Sequence, residues 1–248
     1  MIYTGLVSIT FRQLTAEQVI KIVKESDQQA IEWGGDIHVP HGDIMRAREV
    51  CKLTKKAGLI TAAYGSYYRV GISQNFEKVL ETAVALGAPT IRVWAGDKAS
   101  DEADKVWWNK VIVESRQIAQ MAQEKGIKVA YEYHANTLTD TNETAIELLA
   151  EVNHPNMFTY WQPHNDKTMQ YRLAGLSQVL PYLCNMHVFY WKNKKRYPLS
   201  EGKERWKKYL EVVSSTKEKH FAMLEFVKDD SVAQYVEDAK VLKELLDS

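Results

Sequence analysis

Val129-Ala-Tyr-Glu-Tyr-His134 decides the fold. A short apolar run ends there on a carboxylate flanked by two tyrosines, and a histidine follows two positions on. It reads as a buried β-strand that delivers Glu132, and His134 after it, to the rim of a barrel. Three later stretches end the same way: Phe158-Thr-Tyr-Trp-Gln162, Cys184-Asn-Met-His187 and Phe221-Ala-Met-Leu-Glu225. Each stops on a residue able to bind a metal or a sugar hydroxyl. With the four strands as parallel neighbours, Glu132, Gln162, His187 and Glu225 converge on one point.

Outward from that point, the pattern predicts strands over residues 3–11, 29–33, 59–64, 89–94, 127–133, 157–161, 183–190 and 220–227. Helices are expected between them over 15–26, 43–56, 75–86, 101–125 and 140–152, then up to about 181, over 202–216 and over 231–246. Thr15 with Gln18 three residues later is a capping-box signal, and Gly58 and Gly87 close two helices as C-caps. Residues 65–71 read as the loop after the third strand, and the basic run 192–196 as the loop after the seventh. Eight strand–helix units in strict alternation, without a linker or low-complexity tract, demand a parallel sheet that closes into a (β/α)8 barrel. A doubly wound open sheet would want a glycine-rich turn after the first strand, and Phe11-Arg-Gln-Leu14 offers none. A single domain over 1–248 is therefore expected, and 248 residues suit one such barrel.

Composition narrows the function. With 45% hydrophobic and 26% charged residues the chain is ordinary globular protein. Its 32 basic and 32 acidic residues cancel, which gives no electrostatic argument for nucleic acid or an anionic membrane. No apolar run approaches a membrane span. Cys51 and Cys184 suit reduced thiols better than a disulfide framework, and the N-terminus lacks a signal-peptide pattern, so a cytoplasmic protein is expected.

In a (β/α)8 barrel the active site lies at the C-terminal ends of the strands, where all four convergent residues fall. Two carboxylates, an imidazole and an amide oxygen form a mixed N/O set suited to Mn, Mg, Co or Zn. Two buried carboxylates beside a histidine call for a cation or a shared proton. Around them, Trp33, Trp94 and Trp191 fall at strand ends, where a ring can stack on a sugar or simply pack the barrel. His38, His134, His164 and Arg196 are the remaining candidates for substrate contact; the basic run that contains Lys194 and Arg196 could meet a phosphate or carboxylate, or be a solvated surface.

The motifs Glu132-Tyr-His, Trp161-Gln-Pro, Met186-His-Val and Leu224-Glu-Phe resemble those of the xylose isomerase-like barrels, over essentially the whole chain. That superfamily holds sugar-phosphate isomerases, epimerases and apurinic-site endonucleases. The resemblance implies a divalent metal held by Glu132, His187 and Glu225, with Gln162 where an Asp is usual and Asn165 where a His commonly follows. It further implies proton transfer beside the carbonyl of a small sugar or polyol ketone, through an enediolate, with Glu132 and Glu225 as the catalytic pair. The expected reading is a metal-dependent sugar isomerase or epimerase. A metal-assisted lyase or dehydratase on the same site, and a barrel that binds a sugar without turning it over, are the alternatives. The endonuclease branch is disfavoured: the fourth strand ends in Trp94-Ala-Gly where a His ligand would be wanted. Barrels of this kind often pair through helices or loops, which leaves a homo-oligomer open.

Overall fold

The computed structural model describes residues 1–247; Ser248, the last residue of the expected domain, lies outside them. Eight parallel strands close a barrel: β1 (Ile2–Val7), β2 (Ala30–Gly34), β3 (Ile60–Arg69), β4 (Thr90–Trp94), β5 (Lys128–Tyr131), β6 (Met157–Trp161), β7 (Leu183–Val188) and β10 (His220–Leu224). Between β7 and β10 a two-stranded antiparallel ribbon, β8 (Tyr190–Lys192) and β9 (Lys195–Tyr197), stands apart from the barrel. The barrel order runs β1-β2-β3-β4-β5-β6-β7-β10, and β10 pairs back on β1 with Ile2 beside His220 and Leu6 beside Leu224. This is a single-domain (β/α)8 barrel, as the alternation demands.

Helices α1 (Ala16–Glu25), α2 (Ile44–Lys56), α3 (Phe76–Leu86), α4 (Lys105–Gln123), α5 (Asn142–Val152), α6 (Met169–Val179), α7 (Lys203–Ser214) and α8 (Val232–Asp247) make the outer layer. Their starts follow local chemistry. The Thr15 hydroxyl accepts from Gln18 N while the Gln18 side chain accepts from Thr15 N. Asp43, Asp104, Thr141 and Thr168 cap α2, α4, α5 and α6 without the reciprocal bond, each side chain accepting an otherwise unpaired first-turn N–H. Gly87 ends α3 at φ +69°, a conformation open to glycine without strain.

Several boundaries differ from the sequence expectation by a few residues, among them the end of the eighth strand, at Leu224 instead of 227, and the start of α4, at Lys105 instead of 101; three differences have a visible cause. The first strand stops at Val7, because residues Ser8–Phe11 turn into a buried 3-10 segment in which Ser8 Oγ accepts from Gly34 N. The third strand does not end at Tyr64 but runs to Arg69. Its register on β4 shifts between Gly65 and Tyr68, Ser66 Oγ bonds Arg92 O at 2.7 Å, and Tyr67 is thrown to φ +56°. The basic run 192–196 is not a loose loop: it forms the β8–β9 hairpin, whose tip residues Asn193 and Lys194 both take positive φ.

Alternation along each strand sorts side chains into two layers. Ile31, Trp33, Ile91, Val93, Tyr131 and Trp161 join the large core between barrel and helices. Ala30, Ala63, Ala130, Tyr160 and Met223 belong to a smaller cluster that fills the barrel itself.

Candidate active site

The inward positions continue above that inner cluster, and there they become polar. Following Ala30, Ala130, Tyr160 and Met223 by two residues come Glu32, Glu132, Gln162 and Glu225; His187 and Arg92 enter from β7 and β4. Glu132, Gln162 and Glu225 each sit one residue past a strand end, so short strands place them at the mouth.

His187 is the centre. Its Nδ1 lies 3.1 Å from Gln162 Oε1, 3.4 Å from Glu225 Oε2 and 3.6 Å from Glu132 Oε1. One atom each of Glu132, His187 and Glu225 fall within 4.8 Å of one another, and all three residues are buried. Gln162 is held in place by its own amide, whose Nε2 donates to Tyr133 O at 2.6 Å and so turns Oε1 inward. Three oxygens thus face one imidazole nitrogen, and a single N–H satisfies only one of them. A divalent cation would satisfy the whole set, so the donors fit a metal, and two carboxylates with an imidazole and an amide oxygen suit Mn, Mg, Co or Zn.

Two charged residues that the motif reading passed over complete the arrangement. Glu32 and Arg92 are fully buried, and Arg92 Nε donates to Glu32 Oε1 at 2.7 Å. The same guanidinium reaches Glu132 Oε2 through Nη1, and Trp94 Nε1 donates to that oxygen at 2.6 Å. Burial pushes the Glu132 and Glu32 carboxyls up, yet Arg92 and His187 beside them more than offset it and hold both below the usual carboxylate range. Burial likewise disfavours a charged His187, but Glu225, Glu32 and Glu132 together drive its pKa well above that of a free imidazole.

Above the cluster opens a cavity of about 510 Å3 lined by Glu132, His134, Gln162, His164, Trp191, Lys194 and Glu225, among others. Phe226, at φ +50°, and Phe189 supply apolar wall. His134 stacks on Trp94 with ring centroids 4.3 Å apart, and its Nδ1 lies 2.6 Å from Ala135 O. His164 is lodged against Tyr133, its Nε2 buried without a hydrogen-bond partner, and burial holds its pKa down.

Of the residues singled out from sequence, the structure brings together Glu132, Gln162, His187 and Glu225, with His134, His164 and Trp191 at the same opening and Trp94 behind Glu132. Trp33, His38 and Arg196 are corrected. Trp33 is fully buried and faces the helices, because alternation along β2 turns it opposite to Glu32. His38 is buried under it, with Nε2 3.1 Å from Leu14 O, a loop histidine that packs and caps. Arg196 pairs with Asp230 and lies over the Trp191 and Phe226 rings, bracing the wall from behind. Lys194, two residues earlier at the hairpin tip, lines the cavity with Asn193 and is the one basic residue of the run to do so.

Comparison with known proteins agrees with the fold. Residues 20–245 match the model of the xylose isomerase-like TIM barrel, and the chain belongs to that family. A 3-dehydroshikimate dehydratase of Bacillus anthracis is 28% identical over 166 residues, which is 62% of this chain and 59% of that protein. The crystal structure of the probable 3-DHS dehydratase AsbF, involved in petrobactin synthesis in B. anthracis, superposes with a TM-score of 0.80 at 22% identity, over 98% of this chain and 99% of that one. A xylose isomerase-like barrel from Mycobacterium smegmatis in complex with magnesium gives 0.75 at 15% identity, covering 99% and 97%. D-psicose 3-epimerase from Clostridium cellulolyticum H10 with D-tagatose gives 0.69 at 14%, covering 99% and 97%. At those identities the structural likeness speaks to the fold. Among the described residues, no helix is long and apolar enough to cross a membrane.

Proposed function

We propose that this barrel is a divalent-metal-dependent lyase that removes water from a β-hydroxy ketone acid of the 3-dehydroshikimate kind. The observation that carries the reading is the match to the 3-dehydroshikimate dehydratase, the named relative found by sequence. The sugar isomerase or epimerase expected from motif resemblance has structural neighbours only. Site geometry leans the same way. An epimerase of the kind first expected needs two free carboxylates, whereas Glu132 already accepts from Arg92 and Trp94.

Glu132, Gln162, His187 and Glu225 would hold the metal. Bound there, a divalent cation supplies Lewis-acid polarisation of the substrate carbonyl. With both glutamates engaged as ligands, the base falls to an imidazole at the opening. His134 fits: Ala135 O fixes the proton on Nδ1 and leaves the Nε2 lone pair for the cavity. It takes the proton from the carbon beside the carbonyl. The electron pair of that C–H bond becomes the new C=C as the β C–O bond breaks, and the departing hydroxyl leaves as water once it receives a proton. The imidazolium so formed on His134 returns that proton to the departing hydroxyl, so one ring serves as base and then as acid. Lys194 meets the substrate carboxylate, and Phe226 and Trp191 flank its ring.

The test is turnover of 3-dehydroshikimate by the Mn-loaded protein, followed by the ultraviolet absorbance of the aromatic dihydroxybenzoate product. Turnover is expected, lost on chelation and restored by Mn. His134→Gln is expected to lower kcat by about 100-fold or more with Mn affinity unchanged. Epimerisation of D-psicose or D-tagatose without dehydration would return the site to the epimerases. Binding of 3-dehydroshikimate without turnover would make it a binding barrel.

A further inference from the structure

Glu32 and Arg92 are fully buried charges that the proposed chemistry does not use. Both are wholly inside the barrel, where an ion pair is often no more stable than an apolar pair of similar volume. Their geometry extends beyond pairing with each other. Glu32 spends Oε1 on Arg92 and aims Oε2 at His187 Nε2, 3.5 Å away. Neither of those two atoms has another hydrogen-bond partner among the described residues. Arg92 spends Nε on Glu32 and Nη1 on Glu132. One guanidinium therefore ties a buried carboxylate that faces His187 to one that faces the cavity.

We propose that Glu32 and Arg92 are the positioning residues of the metal site: Glu32 fixes the His187 ring with its proton on Nε2 and Nδ1 free for the cation, and Arg92 fixes the Glu132 carboxylate. The inference rests on the metal site put forward above. A neutral imidazole has one proton to place. On the Nδ1 side stand three oxygens arranged to share a cation; on the Nε2 side stands a single carboxylate oxygen. Metal-bound imidazoles generally donate their second N–H to such an acceptor, which sets ring orientation and raises ligand basicity. On the other branch, Arg92 and Trp94 both take Glu132 Oε2, so Oε1 is the oxygen left toward His187. Charge follows the same logic. Arg92 cancels Glu32, and the remaining two carboxylates, Glu132 and Glu225, balance one divalent cation.

The backbone is built around the pair. A Cβ on Gly65 would stand 2.7 Å from both Arg92 Nη2 and Glu32 Oε1, so any side chain at this irregular point of β3 would have to displace the buried pair.

Mn2+ affinity of the chelator-stripped protein, measured by titration calorimetry, tests the proposal in wild type and Glu32→Gln. The variant keeps the shape and an oxygen for Arg92 but removes the carboxylate. Its affinity is expected to fall by about 10- to 100-fold, while its circular dichroism without metal matches wild type. Affinity equal to wild type in a folded variant overturns the proposal and leaves a merely structural ion pair. Should Glu32→Gln fail to fold, nitrogen NMR of the 15N-histidine-labelled wild type with Zn2+ decides instead. The one imidazole whose Nδ1 resonance moves on Zn2+ addition is expected to carry its proton on Nε2, and a ring bound through Nε2 overturns the assignment. A wild type that takes up neither Mn2+ nor Zn2+ sinks the metal site itself, and this inference with it.

Discussion

Gly65 shows how much of the site is decided by a single missing methyl group. Its neighbours are the charged ends of Glu32 and Arg92, at distances no real side-chain carbon tolerates. Gly65→Ala is expected to cost about 1–3 kcal/mol through forced displacement in a packed interior. It should also weaken Mn2+ binding, because Arg92 cannot move without releasing Glu132. Thermal melts and calorimetry on the same variant check both effects; a loss of stability with unaltered metal affinity would uncouple the pair from the site. At this scale the sequence was legible where a polar residue ended an apolar run. That signal found Glu132, Gln162, His187 and Glu225. It missed Glu32 and Arg92, which stand in the middle of Ala30-Ile-Glu-Trp-Gly34 and Thr90-Ile-Arg-Val-Trp94. The usable signal there was the charge itself: an unpaired ion inside a strand buried on both faces is too costly to persist, so two such strands imply a pair. Trp33 was misplaced for the complementary reason. A bulky aromatic at a strand end drew attention, though period two puts it on the opposite face from its glutamate neighbour.

Among the elements, α8 carries a buried carboxyl that titrates in an accessible range. Asp238 is 3% exposed; its Oδ1 accepts from Leu199 N at 2.8 Å and from Gln234 Nε2 at 2.9 Å, which fastens α8 to the short 3-10 turn Leu199–Gly202 before α7. Burial pushes its pKa up to about 6, against 3.8 for an aspartate free in water, despite those two donors. The folded protein therefore binds more protons than the unfolded chain between the two values. The contribution to stability is full below about pH 4 and is lost as pH rises through 6, by up to about 3 kcal/mol for a two-unit shift. Asp238→Asn keeps an oxygen for Leu199 N–H and removes the buried charge. It is expected to be more stable than wild type at pH 7 to 8 and to show a flatter stability profile between pH 4 and 6, read by urea unfolding across that range. A variant less stable than wild type at pH 8 would mean that the ionised carboxylate strengthens the two hydrogen bonds by more than its burial costs. Element boundaries were legible where capping chemistry was local, as at Thr15 or Gly87. They were not where a long-range partner intervened: β3 overran its expected end because Ser66 found Arg92 O on the next strand.

For the whole molecule, closure of the barrel is what concentrates charge. Six strands contribute Glu32, Arg92, Glu132, Gln162, His187 and Glu225 to one layer that no open sheet could assemble, and alternating βα units made that closure readable from sequence alone. The reaction was less readable, because the motifs leave isomerase and dehydratase both open; in the reading proposed above, what separates them is which groups remain free over the layer. Without a cation the layer holds three carboxylates against one guanidinium and a histidine driven toward its charged form. A ligand that binds only the folded barrel stabilises it by about 2.7 kcal/mol at 100 times its Kd. For a chain of this size that corresponds to a rise in Tm of roughly 5–10 °C. The chelator-stripped protein should therefore melt lower than the protein with saturating Mn2+, and the gap should shrink in Glu225→Gln, which removes a ligand charge without touching the barrel wall. A melting point indifferent to Mn2+, Mg2+, Co2+ and Zn2+ would sink the metal site and leave His187, driven toward its charged form by the surrounding glutamates, as the group that balances the layer.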